Sequence, residues 1–169
     1  MILVAGMPSF GADGPRIDDG PGTMWSEDMD TATGSTVTPQ EALIYAMVTL
    51  SASDRQMTDR ELRKIGDIVR TLPIFGGFDT DRLVHVAEAC GAIVAEDDGL
   101  HQVLTTIAAS LPKRLHETAY ALAVEVAAAD LHVEQEELRF LELLRDVLDV
   151  DALTAAAIER AARARYRTL

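Results

Sequence analysis

The chain has 169 residues, 48% of them apolar and 5% aromatic, with a formal net charge of −13. This suits one domain with an aliphatic, helical core and a tail. The charge argues against nucleic acid or anionic lipid as partner, since both need Lys and Arg to displace counterions; it is compatible with a divalent cation or a basic protein surface. One cysteine, Cys90, rules out an internal disulfide and fits a reducing compartment. Met1 to Ala5 is apolar but short, with no basic residue before it, unlike a secretory signal. No apolar run approaches the roughly 18 to 20 residues of a membrane span. The expectation is a soluble, cytoplasmic chain without membrane insertion.

Residues 1–36 are dense in Gly, Pro, Asp, Ser and Thr and carry few large aliphatics, so they read as a disordered acidic tail. Within them, Met24-Trp25 stands among acids, an isolated apolar pair or a short docking motif. A helical domain is expected over 37–169. Thr38-Pro39-Gln40-Glu41 is a capping box with Pro at the first helical position. It opens a helix to about Ala52, with Leu43, Ala46, Met47 and Leu50 on one face. Thr58 to Glu61 is a second capping box, opening a helix to about Thr71 that Pro73 and Gly76-Gly77 stop. Asp79 to Asp81 caps a helix to about Ala95, with Cys90 on its apolar face. A shorter helix spans about Leu100 to Ser110. Pro112 starts the next, which runs to Ala129. Glu134 to about Leu148 is helical again, and Asp149-Val150-Asp151 caps a last helix to about Arg167. The fold class is therefore all-α, a bundle of about seven helices with short connections.

One phrase occurs twice. Ala52 to Leu62 aligns with Ala128 to Leu138 at an offset of 76 positions, each reading Asp, two residues, an apolar residue, three residues, Glu-Leu. Both copies follow an apolar helical run that begins with a glutamate, Glu41 or Glu117. The first two helices and the fifth and sixth thus form related hairpins, and repeated units of this size pack on one another. Asp54 and Glu61, and equally Asp130 and Glu137, have the spacing of EF-hand loop positions five and twelve, with Met57 or Val133 at the apolar position eight. The match ends there, because Leu50, Ala52, Val126 and Ala128 stand where oxygen ligands are needed and Arg55 and Leu131 replace the turn glycine. Neither turn can hold calcium alone. Two turns facing each other would offer the carboxylates of Asp54, Glu61, Asp130 and Glu137 to one hard cation. The competing reading is capping: Glu61 completes a box with Thr58, Glu137 can do the same after Glu134, and Asp54 and Asp130 end helices.

Other candidates carry less. His132 could add a nitrogen ligand, but its counterpart is Gln56. His85, His101 and His116 are scattered without a zinc motif. Cys90 reads as core, and Asp97-Asp98 as a helix cap. Arg160, Arg163, Arg165 and Arg167 make a basic end, suited to a helix C-terminus or to a partner. No phosphate loop, nucleophile elbow or cysteine pair is present, so no enzyme is expected.

On the two phrases Ala52 to Leu62 and Ala127 to Leu138, the chain resembles the TerB family, associated with tellurite resistance, and its relatives in the N-terminal region of DjlA-type cochaperones. The resemblance covers about residues 38–167. It implies an all-helical fold of two related halves, no enzymatic activity, a stress-response setting and acidic residues that bind a divalent metal. Those residues carry over to Asp54, Glu61, Asp130 and Glu137. Arg55 and Leu131 depart from the Gly that members often have, and Thr58 and Gln135 are neutral where members often have acids. The expected function is a non-enzymatic module binding Ca²⁺ or a similar hard ion. The alternative is a metal-free helical scaffold with a protein partner.

Overall fold

A computed structural model describes residues 37–52, 59–129 and 135–167, with the side chains of Asp59 and Arg60 excepted. The expected tail, 1–36, lies outside these residues, as do the Thr58 and Glu134 caps. Seven α-helices follow in order: α1 (Pro39–Ser51), α2 (Asp59–Thr71), α3 (Leu83–Val94), α4 (Gly99–Ser110), α5 (His116–Ala129), α6 (Gln135–Val147) and α7 (Ala152–Arg165). Single 3₁₀ turns at Pro73–Phe75, Thr80–Arg82 and Lys113–Leu115 lie in the connections. There is no strand among the described residues, so the all-α expectation holds.

Helix ends form where the local chemistry demands. The Glu41 amide donates to the Thr38 hydroxyl (3.3 Å), and the Thr38 amide donates to Glu41 Oε2 (2.8 Å). Each bond satisfies a donor that a bare helix start would leave unpaired. Asp79 Oδ1 accepts from the Asp81 amide, and Asp151 Oδ1 accepts from the Leu153 and Thr154 amides. Asp98 takes the N-cap position of α4, but its side chain makes no capping bond, so that expectation was only half right. The short turn there depends on Gly99, whose added Cβ would lie 2.1 Å from the Ile93 carbonyl oxygen. The segment after Pro112 makes one 3₁₀ turn before α5 starts at His116. At the end of α6, Asp149 adopts φ 52° and the Val150 amide returns to the Arg145 carbonyl, a left-handed helix stop of the kind usually given to glycine.

α1 corrects the expectation of one apolar face. Every residue from Glu41 to Ser51 is buried, because the helix has α2, α3, α4, α5 and α6 around it. Its sequence from Ala42 to Ser51 contains no charge, and a helix apolar all round belongs inside a core. α5 is the second axis of the bundle, packed on α1, α6 and α7.

The repeat is larger than a hairpin. α1 packs on α2 and α3, and α5 packs on α6 and α7. A groove of 720 Å³ in the first unit is lined by Val48, Ala52, Leu62, Val84, Ala87 and Glu88, with three more from α3 and its end. A groove of 420 Å³ in the second is lined by Val124, Ala128, Leu138, Glu159, Ala162 and Arg163, among others. These sets correspond at an offset of 76 in the first two helices and 75 in the third. The chain is therefore two copies of a three-helix unit, α1–α3 and α5–α7, joined on one side by α4.

Candidate functional site

The two repeated turns connect α1 to α2 and α5 to α6, and residues 53–58 and 130–134 lie outside the described residues. Asp54, Asp130 and His132 are among them. Their flanks are described, and they fix which ends of the helices meet. Glu61, in the first turn of α2, shares a cleft of 380 Å³ with Val126 and Ala129 from the last turn of α5. On the other side, Thr49 and Ala52 from the end of α1 share a cleft of 600 Å³ with Gln135 and Glu136 from the start of α6. The start of α2 thus lies beside the end of α5, and the end of α1 beside the start of α6. Glu61 is half-buried in the first cleft, and Glu137 is half-buried in the first turn of α6.

The electrostatics of the first cleft are mixed. Arg63 and Lys64 line it together with Glu61 and Asp67, two cations against two carboxylates. Lys64 Nζ lies 4.8 Å from the centre of the Tyr166 ring and donates to its hydroxyl. Tyr166 in turn donates to Glu125 Oε1 (2.6 Å), and Arg165 pairs with the other oxygen of Glu125. This chain of contacts ties α2 of the first unit to α5 and to the end of α7 in the second. Sequence reasoning missed it. Its signal was Glu125, the lone charge after Glu117 in the apolar run of α5. Arg165 reads from sequence only as part of a basic end, and Tyr166 carries no signal of its own.

Ser51 adds a polar atom at the same end of α1. Its hydroxyl is buried and has no hydrogen-bond partner among the described residues. Such a group costs about 1–3 kcal/mol unless water or a ligand reaches it. Nearby, Cys90 is fully buried, 3.4 Å from the Thr49 hydroxyl. Burial pushes its thiol up to about 11, with Thr49 acting weakly the other way, so it is core, as its place on the apolar face predicted, and a poor nucleophile. His116 is half-buried with Nδ1 2.8 Å from the Leu148 carbonyl oxygen, while His85 and His101 are exposed. Among the described residues no three His, Cys, Asp or Glu side chains are grouped to hold a metal. No described helix is long and apolar enough to cross a membrane.

The family model described as tellurite resistance protein TerB matches residues 40–161. The chain belongs to the TerB family. The match runs from the first turn of α1 into α7 and so spans both copies of the repeat and the α4 bridge. The all-α fold of TerB agrees with the seven helices found here. Comparison with curated proteins and with solved structures gives no significant match. Family membership thus rests on most of the helical domain, and both repeated turns fall within the matched segment.

Proposed function

We propose that this TerB-family chain is a non-catalytic helical module that binds one divalent cation, Ca²⁺ or a similar hard ion, between its repeated acidic turns, in a cytoplasmic tellurite-resistance or stress response. Asp54, Glu61, Asp130 and Glu137 are the oxygen donors. The observation that carries this reading is the crossed arrangement of the flanks, Glu61 beside the end of α5 and Ala52 beside the start of α6. An all-carboxylate donor set suits Ca²⁺, which takes six to eight oxygens. The unpartnered Ser51 hydroxyl at that end suits a hydrated ion nearby. Arg63 and Lys64 line the cleft with Glu61 and Asp67, and Asp54 and Asp130 supply the further negative charge of the proposed donor set. Like charges brought together repel, and a cation turns that repulsion into binding energy. Binding to the folded state alone stabilises it by about 2.7 kcal/mol at a hundredfold excess over Kd.

Thermal melts across a calcium titration test the reading. The melting temperature should climb with calcium, and Asp130→Ala should remove the climb while leaving the calcium-free melt near that of the parent. An unmoved melt at millimolar calcium contradicts it.

A further inference from the structure

We infer that the groove between α5, α6 and α7 is a docking surface for an acidic amphipathic helix of a partner protein. Its floor is apolar, formed by Val124, Ala127, Leu141 and Ala162, and Leu138 stands 51% exposed on its wall. Leu138 is a large aliphatic on the outside of α6 and is not among the described residues packed on the core. An apolar trough of this kind accepts helix side chains spaced at i, i+3 or i+4, and i+7.

The charge along its edge selects the partner. The acids of the groove are already engaged: Glu159 accepts from the Tyr120 hydroxyl (2.8 Å), and Glu142 pairs with Arg139 (3.1 Å). The cations are in surplus. Arg163 lines both this groove and an adjoining depression of 380 Å³ whose other walls are Arg160, Ala164 and Arg167. Arg160 and Arg167 form no ion pair among the described residues, and Arg163 is only loosely placed, 3.7 Å from Glu159. Arg160 and Arg163, at i and i+3 on α7, and Arg167 just past its end place like charges close together, which repel slightly. They are gathered on a chain whose net charge is −13. Leu153, 81% exposed, lies seven residues before Arg160 on the same face of α7, which extends the apolar-plus-basic strip.

The related groove of the first unit supplies an internal contrast. It keeps the apolar floor of Val48, Ala52 and Leu62, yet carries Glu88 where the second carries Arg163. An acidic ligand should therefore choose the second groove over the first. Nothing in this recognition uses the repeated turns, so it stands or falls apart from cation binding.

The probe is a fluorescein-labelled, helix-forming peptide of about 16 residues with leucines at i, i+4, i+7 and i+11 and glutamates flanking them. A control peptide replaces the glutamates with lysine. Fluorescence anisotropy on the full chain is read in EDTA, to keep cations out. The acidic peptide should bind, and the lysine peptide should bind at least about tenfold more weakly. Arg160→Glu with Arg163→Glu should cost the acidic peptide about tenfold, and rising salt should weaken binding, since rim charges are screened. Leu138→Asp should abolish binding, while Val84→Asp in the first groove should leave it unchanged; melts confirm that each variant is folded. Equal binding of the two peptides, no binding of the acidic one, or equal losses from Leu138→Asp and Val84→Asp would overturn the inference.

Discussion

The two three-helix units share their packing and differ in chemistry at the same positions. In the first, Thr49 on α1 meets Cys90 on α3 inside the core. In the second, the corresponding residues are Glu125 on α5 and Arg165 on α7, an ion pair open to solvent and extended by Tyr166 and Lys64. The start of α1 carries a full capping box with Arg82 bound to Glu41 (2.6 Å), whereas Glu117, the counterpart of Glu41, is exposed. The cause is α4. It packs on α1 and α3 of the first unit and on α6 of the second, so α1 is enclosed while α5 keeps an outer flank for charges. The helical framework tolerates opposite chemistries wherever the volume fits and the polar groups find partners or water.

Burial at the α1–α5 contact should give the largest effect. Met47 and Ala123 are equivalent positions, 76 apart, and both are fully buried. Met47→Ala should destabilise by about 2–5 kcal/mol in denaturant melts. Ala123→Met should cost about 1–3 kcal/mol through overpacking. If the two positions share one packing volume, the double variant should recover part of the loss; strictly additive losses would separate them.

The capping difference comes next. Burial opposes ionisation of Glu41, but the Thr38 amide and hydroxyl and then Arg82 outweigh it and hold the carboxyl below its ordinary value. A lowered folded-state value means that this stabilisation is fully present above the unfolded carboxylate value near 4.5 and is lost as pH falls through the folded one. Glu41→Gln should cost about 1–3 kcal/mol at neutral pH. The difference from the parent should shrink as pH falls below the unfolded value near 4.5 and through the lower folded one, where the parent's own carboxyl protonates. Glu117→Gln should change stability by no more than about 0.5 kcal/mol, and a comparable loss there would erase the contrast between the units.

The smallest effect belongs to the outer network. Glu125→Gln should cost about 0.5–1.5 kcal/mol and lose much of that in high salt, since Arg165 is largely exposed. The corresponding contact in the first unit should ignore salt. Cys90 should resist iodoacetamide in native buffer and react only in denaturant, because it is buried and its thiol is pushed up to about 11.

Most of the helical fold was legible because its signals are local. Caps at Thr38, Asp79 and Asp151, breakers at Pro73 and Gly76-Gly77, and apolar spacing located the helices within a few residues. The enclosure of α1 is harder to read: the face of Leu43, Ala46, Met47 and Leu50 accounts for one neighbour, whereas five helices, α4 among them, surround it. The repeat was legible only as hairpins, because α3 and α7 share geometry with few shared residue types: Ala87 corresponds to Ala162, but Val84 to Glu159, Glu88 to Arg163 and Cys90 to Arg165. Of the proposed donors, Glu61 and Glu137 are described at the starts of α2 and α6, and Asp54 and Asp130 are not. The pairing of Glu125 with the end of α7 could not be read from spacing, since it joins residues 40 apart in sequence.

Calorimetric titration with calcium tests most directly whether the two turns form one centre. One ion per chain should bind, and Asp54→Asn or Asp130→Asn, each on its own, should abolish it. Two ions per chain with each substitution removing one, or no heat of binding at any calcium concentration, would contradict a shared site.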